Sequence, residues 1–221
     1  MFRRLLLTVL IFFGAGAAPA AEVLRPSGAS RGVVLFLSGD AGWGPSLGRK
    51  AALVLVAGGY HVVGLDSRAF FNQSRSPAEV AEWVAATARD PTVPQNLPVV
   101  VVGQSFGADW AATSAPALPA ELAARIKGFG LIVPGLSRFD EVSITEFLGL
   151  GQGVDNRAAG QWLAQRHATL CIRGASETDS LCPTLKGSRV EQVVLPGGHM
   201  LSRDSDKLGT TLLSWARQIL P

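Results

Sequence analysis

The sequence predicts an α/β domain built on a mostly parallel sheet of about six strands, with helices on both faces. Three observations predict it: short apolar, β-branched runs recur along the chain, stretches of helical character separate them, and Gly and Pro fall between these elements rather than inside them. A strand buried on both faces reads as a near-continuous apolar run, so these segments point to a sheet covered on both sides. Val33–Ser38 (VVLFLS) is the first such run and stops at Gly39; helical Leu47–Ala57 follows. His61–Leu65 is next, then the helical stretch Pro77–Ala88. Val99–Val102 is four consecutive valines, running into the helix-compatible Phe106–Ala115. Phe129–Val133 precedes helical Ala158–Gln165, Leu170–Ile172 and Val190–Leu195 supply the last two strands, and helical Leu208–Leu220 closes the chain. Only about 45 residues separate Val133 from Asp179, which leaves little room for a large lid.

Composition narrows the class further. Of 221 residues, 48% are apolar and 17% charged, with 20 basic against 17 acidic groups. Such a chain is neither disordered nor a strongly basic nucleic-acid binder. Two cysteines are too few for a disulfide scaffold and form no zinc-ribbon pattern. Met1–Ala20 reads as a secretory signal: Arg3 and Arg4 form the positive n-region, Leu5–Gly14 the apolar run, and Ala18-Pro19-Ala20 the small-x-small pattern before cleavage at Ala20 or Ala21. The 17 uncharged residues from Leu5 to Ala21 end in Ala, Gly and Pro, so the strongly apolar part is too short for a membrane span. No cysteine lies near the cut to carry a lipid. Removing Arg3 and Arg4 lowers the net charge from +3 to +1, leaving a single, nearly neutral domain over 21–221. Export places Cys171 and Cys182, eleven positions apart, in an oxidising compartment such as the periplasm. A disulfide between them is therefore expected, and closing a loop of that size would stabilise the fold by roughly 2–3 kcal/mol.

Gly-x-Ser-x-Gly marks the sharp strand-to-helix elbow of α/β-hydrolases, and this glycine-rich chain contains it three times. Gly28-Ala29-Ser30-Arg31-Gly32 has no strand before it. Gly44-Pro45-Ser46-Leu47-Gly48 follows a loop, and Pro45 fixes φ just before the serine. Gly103-Gln104-Ser105-Phe106-Gly107 comes directly off a hydrophobic strand and opens a helical segment, so Ser105 is the candidate nucleophile. Downstream, His199 sits in a glycine-rich loop after the last strand, in the Ser…Asp/Glu…His order of the fold. His61 and His167 lie beside strands, where a satisfied structural role fits. The loop after the preceding strand offers two acids; Asp179 is favoured for its shorter side chain, with Glu177 the alternative. His199 takes the proton from Ser105 and the acid fixes the imidazole tautomer. An oxyanion needs two backbone donors, and the N–H of Phe106 and of Asp40, in the loop after the first strand, are the candidates.

Leu37-Ser38-Gly39-Asp40-x-Gly42-Trp43, Val63-Gly64-Leu65-Asp66-Ser67 and Ser105-Phe106-Gly107-Ala108-Asp109 resemble motifs of the bacterial virulence proteins VirJ and AcvB. Cys171-Ile172-x-Gly174, Glu177-x-Asp179-Ser180-x-Cys182 and Gly197-Gly198-His199 continue the resemblance, which spans Val33 to Lys207 and favours the short, single-domain VirJ-like form. The chain departs from the pattern at Arg68-Ala69-Phe70-Phe71, where the family is expected to carry Arg-Tyr-Phe/Trp. The resemblance implies a periplasmic protein and an esterase releasing the amino acid from lysyl- or alanyl-phosphatidylglycerol at the membrane surface. It also implies a competing role as a binding protein on a hydrolase scaffold, with virulence or secretion proteins as partners. A general carboxylesterase or thioesterase shares the chemistry.

An aminoacyl ester carries an ammonium beside the scissile bond, which Asp40, Asp66 and Asp109 are positioned to attract. Trp43, Phe70, Phe71 and Trp110 are candidates for a lipid-facing mouth, with core packing expected for at least two. Neither a metal-ligand cluster nor a phosphate-cradling loop stands out, so no metal or other cofactor is expected, and no nucleic-acid partner.

Overall fold

A computed structural model describes residues 9–11, 21–140 and 153–220. Its strands are β1 (Val9–Ile11), β2 (Ala21–Leu24), β3 (Val33–Leu37), β4 (His61–Leu65), β5 (Val99–Gln104), β6 (Ile126–Ile132), β7 (Ser137–Arg138), β8 (Val154–Asp155), β9 (Ala168–Gly174) and β10 (Val190–Leu195). Its helices are α1 (Leu47–Ala57), α2 (Ser67–Phe70), α3 (Pro77–Arg89), α4 (Phe106–Ser114), α5 (Ala120–Arg125), α6 (Arg157–Arg166) and α7 (Ser205–Ile219). The main sheet runs β1-β2-β4-β3-β5-β6-β9-β10. The six expected strands pair in parallel; β2 joins β4 antiparallel and β1 joins β2 antiparallel. A short β7–β8 hairpin stands apart.

The continuous apolar runs are explained by the period-2 side-chain alternation of a strand. Val34 and Phe36 of β3, with Val100 and Val102 of β5, face a core closed by Leu55 of α1 and Leu212 and Trp215 of α7. Val33, Leu35 and Leu37, with Val99 and Val101, face the opposite core, closed by Trp83 of α3, Trp110 of α4 and Leu163 of α6. Each such side chain withdrawn from water contributes about 1.5–3 kcal/mol, so both faces must be apolar and no polar alternation is visible. Helix α3 starts where its first residues dictate: Pro77 follows Ser76, whose hydroxyl and Glu79 form a capping box.

The order of the strands positions the site. From β3 the chain crosses to β4 on one side and then back to β5 on the other. The loops leaving β3 and β5 therefore diverge, opening a crevice at the carboxyl ends of these two strands. Cys171 of β9 is bonded to Cys182, both fully buried, so the connection between them is held against the sheet.

The N-terminal strand β2, the short helix α5 and the hairpin add elements that the apolar runs did not announce. The expected leader, Met1–Ala20, lies outside the described residues apart from Val9–Ile11. The expectation of no large lid concerns 134–178, of which residues 141–152 also lie outside them; the described remainder holds the β7–β8 pair, α6 and β9. Among the described residues no helix is long and apolar enough to cross a membrane. His61 corrects an expectation: its buried Nε2 has no partner among the described residues, and burial pushes its pKa down to about 4.

Candidate active site

Ser105 occupies the turn between β5 and α4 with φ +52° and ψ −122°, a left-handed conformation that a residue with a side chain rarely adopts. The turn is held from both sides. Ser105 N–H donates to the Ile132 carbonyl of β6 (2.7 Å), and Ala108 and Asp109 N–H donate to the Ser105 carbonyl (2.8 and 3.1 Å). The flanking glycines are required by close approach: a Cβ on Gly107 would strike the Ser38 carbonyl oxygen of the β3 loop, and one on Gly103 would lie 2.6 Å from Ala108 Cα. The two competing serines do other work. Ser46 caps α1 by accepting from Arg49 N–H (3.1 Å), and Ser30 lies in irregular chain before β3.

The glycine loop after β10 carries His199 over this elbow. Ser105 Oγ lies 2.7 Å from His199 Nε2, and His199 Nδ1 lies 2.6 Å from Glu177 Oε1. Of the two expected acids it is the alternative, Glu177, and not the favoured Asp179, that the structure places against His199. The reason is the turn after β9: Glu177 N–H donates to the Gly174 carbonyl (3.2 Å) and its Oε2 accepts from Gly174 N–H (3.1 Å), folding the side chain back. Ser176 N–H donates to the Gly197 carbonyl (3.0 Å), which seats this turn beside the histidine loop. Asp179 lies past the turn, on the exposed cavity wall, and acts on His199 through charge alone. The Glu177 side chain is only 5% exposed, against 48% for His199, so the carboxylate meets the imidazole away from water. The hydrogen bond to Glu177 raises the pKa of His199 above its usual value; burial opposes it, and the charges of Glu177, Asp40 and Asp179 add to it.

The loop after β3 closes the site on the other side. Ser38 Oγ accepts from Ser67 N–H (3.0 Å) and donates to the Gly39 carbonyl (3.2 Å), fixing the loop. Gly39 lies beside the elbow: a Cβ there would be in ordinary contact with Ser105 Cβ, at 3.6 Å. Ala41 N–H donates to the Asp40 carboxylate (2.9 Å). The N–H groups of Asp40 and Phe106, the expected oxyanion donors, make no hydrogen bond among the described residues.

A cavity of about 1120 Å³ opens beside Ser105 and His199, with Asp40, Asp109, Glu177 and Asp179 in its wall. Asp109 is 6% exposed; its Oδ1 accepts from Gly135 N–H and from Asn156 Nδ2 (both 2.9 Å), tying β6 and the start of α6 to the elbow helix. Burial pushes its carboxyl well above the usual carboxylate range, and the charge of Asp179 adds to that. Asp109 therefore both holds the wall together and faces the cavity.

Two expected binding residues are elsewhere. Asp66 is the N-cap of α2, accepting from Ala69 N–H (3.2 Å), and lies outside the cavity wall. Trp43 is buried against Phe36 and donates its indole N–H to Glu22 (2.7 Å). Phe70, Phe71 and Trp110 are likewise core: Phe70 stacks on Trp83, and Phe71 packs on Phe106 and Trp110. All four candidates for a lipid mouth are thus buried. The apolar wall comes instead from Phe106 and Phe139, with Arg68 and Asn72 at the rim. Nothing in the local pattern marked Phe139 or Asn156, whose places depend on contacts between distant segments. Among the described residues no group of three or more His, Cys, Asp or Glu is placed to hold a metal ion.

Solved structures with the same fold include an esterase from Pyrococcus furiosus (TM-score 0.74, 14% identity, 98% of this chain and 92% of that one). They also include the esterase domain of a Rhodothermus marinus protein (0.69, 17%, 98% and 100%) and a dienelactone hydrolase from Anabaena variabilis (0.66, 17%, 98% and 99%). At these identities the likeness is one of fold, that of the α/β-hydrolases. No curated protein matches the sequence. The family described as bacterial virulence protein (VirJ) matches over residues 31–219, which takes in the elbow, the acid loop and the histidine loop, and the chain belongs to that family.

Proposed function

We propose that this protein is a serine hydrolase of ester bonds, with Ser105 as nucleophile, His199 as general base and acid, and Glu177 as the group that orients and stabilises the imidazolium. The observation that carries the proposal is the unbroken chain from Ser105 Oγ through His199 to the buried Glu177, at 2.7 and 2.6 Å. His199 takes the hydroxyl proton as Oγ forms its bond to the carbonyl carbon. The Phe106 and Asp40 N–H groups receive the oxyanion. The C–O bond then breaks, the leaving alkoxide takes the proton from His199, and water releases the acyl group by the same steps in reverse.

The substrate we propose is the aminoacyl ester of aminoacyl-phosphatidylglycerol, lysyl or alanyl, met at the membrane surface in the periplasm. The motif resemblance, which implies this substrate, supports the reading, and so does the wall beside the nucleophile. Asp40 and Asp179 line the cavity into which an acyl group would extend, and a carboxylate within ~4–6 Å of an ammonium favours the cation. The test is amino-acid release from vesicles containing lysyl- or alanyl-phosphatidylglycerol, set against hydrolysis of a short neutral acyl ester. The expected result is a higher kcat/KM for the aminoacyl lipid. A clear preference for the neutral ester would assign a general carboxylesterase or thioesterase instead.

A further inference from the structure

A second, smaller cleft of about 300 Å³ also borders the same nucleophile. The two spaces share Asp40, Ala41, Ser105, His199 and Met200, so they form the two halves of one groove with the reacting atoms at its centre. Their charges are opposite. Besides the shared Asp40, the larger half carries Glu177 and Asp179, with the buried Asp109 held toward its neutral form and Arg68 the one Lys or Arg among its described lining residues. The smaller half carries Lys50 of α1 and Arg203, and the one carboxylate among its described lining residues is the shared Asp40. Neither cation makes an ion pair or a side-chain hydrogen bond among the described residues.

The position of Arg203 is built rather than incidental. Leu201, Ser202 and Arg203 have φ of +47°, +52° and +58°, three successive left-handed residues directly after the histidine loop. Leu201 is buried as the anchor of this turn, and Arg203 N–H donates to the Met200 carbonyl at 2.7 Å. Runs of left-handed L-residues are sterically unfavourable, and such geometry persists where the surroundings enforce it, often at functional sites. Here the turn links the imidazole to a guanidinium in the wall of the same cleft.

We propose that the Lys50–Arg203 cleft is the leaving-group subsite and selects an alcohol that carries a phosphodiester anion. The inference rests on the ester-hydrolase reading above and adds to it the side on which each part of the substrate lies. The cationic acyl group occupies the acidic half, Ser105 Oγ attacks between the halves, and the alkoxide leaves with the proton of His199 toward the basic half. Arg and Lys donors on a phosphodiester make charge-assisted hydrogen bonds, the stronger class of polar contact.

The test uses the full mature protein and four soluble esters, combining a lysyl or butyryl acyl group with a glycerol or glycerophosphoglycerol alcohol. For the Lys50→Ala/Arg203→Ala double variant, the ratio of kcat/KM for the anionic over the neutral alcohol is expected to fall about tenfold with either acyl group. Lys50→Arg with Arg203→Lys is expected to recover most of that ratio. A change of less than about threefold overturns the proposal. So does a loss seen only when the same headgroup is presented in vesicles, which would report attraction to an anionic surface. Failure of the lysyl esters to outperform the butyryl esters would count against the aminoacyl reading alone, because the alcohol ratio is read within each acyl pair. Absence of turnover on all four esters would overturn both.

Discussion

Ser105→Ala is expected to lower kcat/KM for ester hydrolysis by at least about 10⁴-fold, because a triad whose nucleophile is missing retains only the contribution of binding and oxyanion stabilisation. The protein should still fold. Among the described residues Ser105 Oγ hydrogen-bonds to His199 alone, and the elbow itself is held by backbone bonds to Ile132, Ala108 and Asp109. The strain of φ +52° remains in the alanine variant but is removed in Ser105→Gly, which should be equally inactive and more stable by about 1 kcal/mol. Kinetics on an ester substrate and thermal unfolding of the two variants check both halves of the expectation. An alanine variant within tenfold of the parent would remove Ser105 as the nucleophile.

Glu177→Gln is expected to reduce kcat by about 10⁴-fold, the scale of loss when the acid of a triad is neutralised and the imidazole takes the wrong tautomer. The effect on pH dependence has a definite sign. Neutral His199 is the active base, and the bond to Glu177 favours the protonated form, raising the pKa. The rate of the parent enzyme should therefore rise with pH through a midpoint above the ordinary imidazole value of about 6.5. In Glu177→Gln the limb should move to lower pH. Asp179→Asn should shift it in the same direction but less, because Asp179 acts only as a nearby charge; its main effect should be on KM for substrates with a cationic acyl group. A pH–rate profile for each variant measures this. A large shift in Asp179→Asn with none in Glu177→Gln would restore Asp179 as the acid.

The strands and the elbow were legible because each rests on a local rule. Four valines before Gly103 can only be covered on both faces, and Ser105 was separable from Ser30 and Ser46 because neither of those follows a strand. His199 was legible from a glycine loop after the last strand. The acid was not. Asp179 and Glu177 are two residues apart in one loop, and the choice between them is made by a turn that brings Glu177 back to Gly174 and to His199. Side-chain length, used as an argument for Asp179, works the other way once the turn exists, because the longer chain satisfies both contacts at once. Asp66 and Trp43 show the same limit from another direction: each carries a group suited to binding, and each spends it on the fold, Asp66 as a helix cap and Trp43 on Glu22. The polarity of the groove is a further property that no segment contains. It arises where Lys50, Asp179 and Arg203, from three separate segments, line the two spaces beside one serine.

The most direct measurement is to expose the folded protein to a fluorophosphonate and locate the adduct by peptide mass spectrometry. A single adduct on Ser105, abolished in His199→Ala and slowed far more by Glu177→Gln than by Asp179→Asn, is the result predicted. No adduct, or one on another residue with Ser105 unmodified, would contradict it.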